Sequence, residues 1–143
     1  MFRKVLLCYD GSREGRRALR QGADVAIAMQ SQVFLLAICR SLPVALVPEA
    51  VTAHFVSDRQ ERAQSLVDEG VAWLHEHGLI AEGALVEGDA IVEIADTARR
   101  IGADLIVVGY RKRSALERWW ASSDEESLLE RVDCSVLAAA SLG

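Results

Sequence analysis

Asp104-Leu105-Ile106-Val107-Val108-Gly109 sets consecutive large aliphatic residues between a turn-forming aspartate and a glycine. A short, unbroken apolar run of this kind, rich in β-branched residues, predicts a strand. On its N-terminal side, Ile91, Ile94, Ala95, Ala98 and Ile101 recur at helical spacing. That spacing predicts an amphipathic helix, capped by Asp89 and closed by Gly102. Further upstream, Ala81 to Val86 predicts a weaker strand. Before it, Ala63, Leu66, Val67, Gly70, Val71 and Leu74 mark a helix that Gly78 closes. Gln32 to Cys39 is apolar at nearly every position, which suits a strand covered on both faces, as in a parallel sheet. Leu19, Ala23, Ala26 and Ile27 line one face of a first helix, with Ser12 as its N-cap. Arg3 to Cys8 reads as a buried first strand. Downstream of Gly109 come a polar loop, a helix around Asp124 to Val132, and a last strand near Ser135 to Ala139. The alternation β-α-β-α-β-α-β-α-β predicts an α/β fold, a parallel sheet with helices on both faces joined by right-handed crossovers.

The 143 residues suit a single domain, 1–143, and an apolar fraction of 51% supports a real core rather than disorder. No apolar run approaches the roughly 18–20 residues that span a bilayer. Val5 to Cys8 is too short for a signal-peptide core, and Asp10 interrupts it. The expectation is a cytoplasmic domain without a membrane partner. Cys8, Cys39 and Cys134 show no paired short spacing, which excludes a disulfide framework and a zinc ribbon. A formal charge of −5 makes the chain a poor nucleic-acid binder. Only Lys4 and Lys112 are lysines; genomic bias toward arginine explains this more simply than anion recognition by guanidinium groups.

Open α/β sheets bind ligands outside the carboxyl ends of strands where the strand order reverses. In a five-stranded sheet of order 3-2-1-4-5, that point lies between the first and fourth strands. Their ends here are Tyr9-Asp10-Gly11-Ser12 and Val108-Gly109-Tyr110-Arg111-Lys112. The connection from Gly109 to Ser123 exceeds the usual two to six residues, and long loops in compact domains tend to carry function.

Val5-Leu6-Leu7-Cys8-Tyr9-Asp10-Gly11-Ser12, Glu87-Gly88-Asp89, the stretch from Gly102 to Ser114, and Cys134-Ser135-Val136-Leu137 together resemble a universal stress protein domain, in order and over essentially the whole chain. The resemblance implies a three-layer, Rossmann-like sandwich of the adenine nucleotide alpha hydrolase-like type. Its ATP-binding members carry Gly, two residues, Gly, nine residues, then Gly-Ser or Gly-Thr. Bare backbone can approach phosphate there, and a helix N-terminus offers free N–H groups. The corresponding positions here are Gly109, Lys112, Ser122 and Ser123. By the same resemblance Asp10 contacts the adenosine portion and a backbone position around Ile38 flanks the base. ATP with Mg²⁺ is thus the implied cofactor, and a homodimer through the last strand, Ser135 to Ala139, the implied assembly; an apolar edge strand is otherwise an aggregation liability.

The departures weigh against ATP. Lys112 either adds a charge for phosphate or fills the space a glycine leaves. Asp124, Glu125 and Glu126 occupy the first turn of the last helix, which they stabilise by about 0.3–1 kcal/mol each. They also repel a polyphosphate: two unit charges about 6 Å apart at an effective dielectric near 20 oppose each other by nearly 3 kcal/mol before screening. The expectation is a non-enzymatic regulatory or stress-response domain without robust ATP binding and without a resident cofactor. The rival is the same fold holding ATP through Asp10, Ile38, Gly109, Lys112, Ser122 and Ser123. A phosphate-accepting receiver domain fits poorly, because Asp10 lacks an acidic neighbour and Lys112 falls in the wrong loop.

Trp119-Trp120 reads first as packing and second as a partner anchor. Residues 41–54 hold both prolines, Pro43 and Pro48, so no regular helix or central strand is expected through them; this apolar segment reads equally as a mobile lid or interface patch and as a stretch buried against the sheet edge. His54, His75 and His77 lack metal-ligand spacing. All three cysteines fall on predicted strands as buried, inert thiols. Arg16, Arg17 and Arg20 read as a solvated helix face.

Overall fold

The computed structural model describes residues 1–9, 13–39, 49–110 and 128–140. The chain runs β1 (Lys4–Cys8), α1 (Arg13–Met29), β2 (Gln32–Cys39), α2 (Glu49–Glu76), β3 (Ala81–Glu87), α3 (Ala90–Ile101), β4 (Leu105–Tyr110), α4 (Leu128–Arg131) and β5 (Ser135–Ala140). The strands form one sheet of order β3-β2-β1-β4-β5, and every neighbouring pair is parallel. The expected order and fold class hold.

Side chains of a strand alternate between faces, so the central strands feed two cores. Val5, Leu7 and Tyr9 of β1 pack with Ala18, Leu19, Ala23 and Ala26 of α1 and Leu74 of α2. Leu6 and Cys8 face the other way, with Ile106 and Val108 of β4, Ile91 and Ile94 of α3, and Leu128 of α4. This double burial explains why β1, β2 and β4 read as continuous apolar runs. Each such Leu or Ile contributes about 1.5–3 kcal/mol on removal from water.

Backbone details hold the layers in place. Gly22 lies so close over β1 that a Cβ there would stand 2.1 Å from Leu7 Cδ2. Asp89 accepts a hydrogen bond from Val92 N at 3.1 Å, and Gly102 closes α3 in the left-handed conformation, φ 71°. Asp104 ties β4 to the start of β1: its carboxylate accepts from the N–H groups of Arg3 and Lys4 at 2.8 and 3.0 Å.

Three local expectations are corrected. Residues 49–54, expected to be irregular, belong to α2. Pro48 immediately precedes that helix, and a proline at a helix start sacrifices no intrahelical hydrogen bond. Ile27 is 47% exposed, because the buried stripe of α1 runs through Ala18, Leu19, Gly22, Ala23 and Ala26 and leaves Ile27 on its rim. Cys134 precedes β5 and is half-buried, whereas Cys8 is buried as expected. The Cys39 thiol lies outside the described side chains.

Candidate nucleotide cleft at the strand-order reversal

The chain leaves β1 toward β2 on one side, and β4 continues to β5 on the other. The reversal therefore falls between β1 and β4, where Val5, Leu6 and Leu7 pair with Leu105, Ile106 and Val107. A ligand crevice is expected beyond this ladder, at the carboxyl ends of β1 and β4. Among the described residues, Tyr9 and Gly109 stand at those ends, both buried, and Ile38 near the end of β2. Tyr9 N donates to Leu36 O at 2.9 Å, which pins the end of β1 to β2. Gly109 pairs with Ala139 of β5 and brings bare main chain to the rim. Ile38 is half-buried, pairs with Val86, and packs on the α3-side core. On the same edge of the sheet, Gly88 follows β3 with φ 147°; a Cβ there would lie 2.8 Å from Glu93 Oε1.

Of the candidate residues, Gly109 and Ile38 are thus brought to one end of the sheet, at the ends of β4 and β2. Asp10, Lys112, Ser122 and Ser123 lie outside the described residues, as do Trp119, Trp120 and positions 41–48. Tyr9, at the end of β1, buries its ring in the core beside Gly70 of α2 and is a packing residue.

Tyr9 packs into the core under α1 and α2 while Ile38 packs on the α3 side, so their side chains lie on opposite faces of the sheet. Among the described residues, no group of three or more His, Cys, Asp or Glu side chains gathers as a metal site. His75 Nε2 lies 2.8 Å from Ala81 O and ties the end of α2 to β3, whereas His77 Nδ1 lies 2.8 Å from Trp73 O and caps α2. The Cys134 thiol is pushed up from its ordinary pKa, chiefly by burial and then by the negative charges of Asp104 and Asp133, against a backbone hydrogen bond that lowers it. Among the described residues, no helix is long and apolar enough to cross a membrane.

An open, fully parallel sheet whose order reverses between β1 and β4, with helices packed on it, defines a Rossmann-like α/β protein. The Universal stress protein family model matches residues 1–139, and the chain belongs to that family. A universal stress protein of Synechocystis is 31% identical over 96% of this chain and 85% of its own length. A Burkholderia pseudomallei protein of the family shares the fold with a TM-score of 0.74, at 24% identity over 94% of this chain and 93% of that one. An Arabidopsis thaliana family protein with AMP bound superposes with a TM-score of 0.72, at 16% identity over 99% and 93% of the two chains.

Proposed function

We propose that this universal stress protein is a non-enzymatic regulatory domain of the cytoplasm, that its reversal-point crevice does not hold ATP firmly, and that it assembles as a homodimer through β5. One observation carries the first part. Past Gly109, where bare main chain suits phosphate, the chain places Lys112 and Ser122 at the positions where ATP-binding members carry glycine, followed by Asp124, Glu125 and Glu126. Side chains of that size and charge at those positions disfavour an anion site made of free N–H groups. The assembly is supported by the position of β5 at the sheet edge, with Val136 and Leu137 half-buried and Ser135 exposed.

A second reading is favoured by the AMP bound to the Arabidopsis protein. In it, Asp10, Ile38 and Gly109 hold the adenosine part, Lys112, Ser122 and Ser123 meet the phosphates, and Mg²⁺ accompanies ATP. Thermal unfolding with and without nucleotide separates the two. A ligand at about 100 times its Kd stabilises the native state by about 2.7 kcal/mol, a rise of several degrees for a domain of this size. The expected result with about 1 mM ATP-Mg²⁺ is a midpoint unchanged to within about 1 °C. A saturable rise establishes the second reading, and AMP run in parallel shows whether the phosphate chain is what the crevice rejects.

A further inference from the structure

The helices α1 and α2 share one layer, and two glycines record how they line up. Gly22 sits over Leu7, and Gly70 sits over Leu35, where an added Cβ would stand 2.5 Å from Leu35 Cδ2. Leu7 and Leu35 are partners across the β1–β2 ladder. Gly22 and Gly70 therefore stand at one height on the sheet. Both helices run back against the strand direction, so equal offsets from the two glycines lie at equal heights. Nine residues upstream stand Arg13 and Glu61, two upstream Arg20 and Asp68, and one upstream Gln21 and Glu69.

These positions face outward. Arg13, Arg16 and Arg20 are exposed and Arg17 half-buried, while Glu61, Asp68, Glu69 and Glu76 are exposed. At 3.6 residues per turn the four arginines form one continuous strip, while Glu61 and Asp68 stand two turns apart on one strip of α2, with Gln64 between them donating to Asp68 Oδ1 at 3.0 Å. On a chain of net charge −5, α1 thus carries a cationic strip beside the acidic positions of α2. Among the described residues, none of these four arginines is ion-paired.

We infer that this layer is a docking face for a second copy of the chain, related by a two-fold axis that lies between α1 and α2 and runs parallel to them. Such an axis preserves height and exchanges the helices. Arg13 and Arg20 of one copy then meet Glu61 and Asp68 of the other, twice over, as an isologous contact requires. The other offsets oppose no like charges: Arg16 meets Gln64, Arg17 meets Ser65, and Asp24 meets Ala72. Guanidinium groups are suited to such pairing because they fork onto carboxylates. α1 packs on β1, β4 and β5, and these outward positions lie on its side away from the strands. Exposed ion pairs are individually weak and screened by salt, and complementarity sets partner and register more than strength. The contact is therefore weak and salt-labile.

Sedimentation equilibrium in about 20 mM and about 500 mM NaCl tests this, since the Debye length shrinks severalfold between them. The expected result is a self-association step in low salt that weakens at least tenfold in high salt. Arg13→Glu with Arg20→Glu abolishes the step, as does Glu61→Arg with Asp68→Arg, and all four substitutions together restore it. The milder Arg13→Gln with Arg20→Gln introduces no repulsion and weakens the step in the same direction, which keeps the test valid where reversals disturb folding. A mass that is the same in both salts overturns the inference, as does a step indifferent to these substitutions.

Discussion

At the scale of single residues, chemistry that is local in sequence was legible and chemistry that depends on neighbours was not. Asp89 and Gly102 announce their helix because a carboxylate satisfies free N–H groups two to three residues on, and a left-handed residue favours glycine. Asp89→Ala is expected to cost about 0.5–2 kcal/mol in urea unfolding, with Asp89→Ser recovering most of it; an unchanged midpoint would show that the cap is idle. Cys134 was misread because a strand that begins one residue later leaves its thiol half-buried. Its raised pKa makes the thiolate scarcer at a given pH, so iodoacetamide should alkylate native Cys134 more slowly at pH 8 than it does in urea-unfolded protein. The sign for stability follows. A native state that holds the thiol proton more tightly keeps this contribution below the ordinary thiol value and loses it as pH rises through the raised one. Equal alkylation rates in both states would remove this account of the site.

Among the elements, the strands were read nearly to the residue, since runs buried on both faces leave little ambiguity between polar and apolar positions. Helix α2 was read only in its second half. Its start at Glu49 follows Pro48, and a proline that breaks a helix interior is acceptable at a helix start, so the same residue type supports opposite readings until its position is known. Ile27 shows the complementary limit: a helix stripe read at 100° per residue leaves its flanking positions undecided, and small residues such as Gly22 define the contact better than the large ones do. The docking of α3 rests on Ile94, fully buried in the core it shares with Leu6 and Ile106. Ile94→Ala is expected to cost about 2–5 kcal/mol in denaturant unfolding, the range for truncating a buried aliphatic side chain. A loss below about 1 kcal/mol would mean that α3 is held by its caps and not by this core.

For the whole molecule, the alternation of elements pointed to a parallel sheet, whereas its order was supposed alongside the family resemblance, because right-handed crossovers permit several doubly wound orders. The observed order places the reversal between β1 and β4. The chemistry of the crevice was less legible. Gly109 and Ile38 sit on regular strands, whereas Asp10, Lys112, Ser122 and Ser123 lie outside the described residues. In the proposed reading, either the lost glycines or the carboxylates of Asp124, Glu125 and Glu126 weaken phosphate binding. Lys112→Gly with Ser122→Gly is expected to raise ATP affinity; unchanged weak binding would assign the exclusion to Asp124, Glu125 and Glu126.

Calorimetric titration of ATP-Mg²⁺ into the unmodified protein addresses the central claim without any substitution. The expected result is no saturable heat at nucleotide concentrations up to about 1 mM, the level at which binding is worth only about 4 kcal/mol. A single-site isotherm with a micromolar dissociation constant would contradict it.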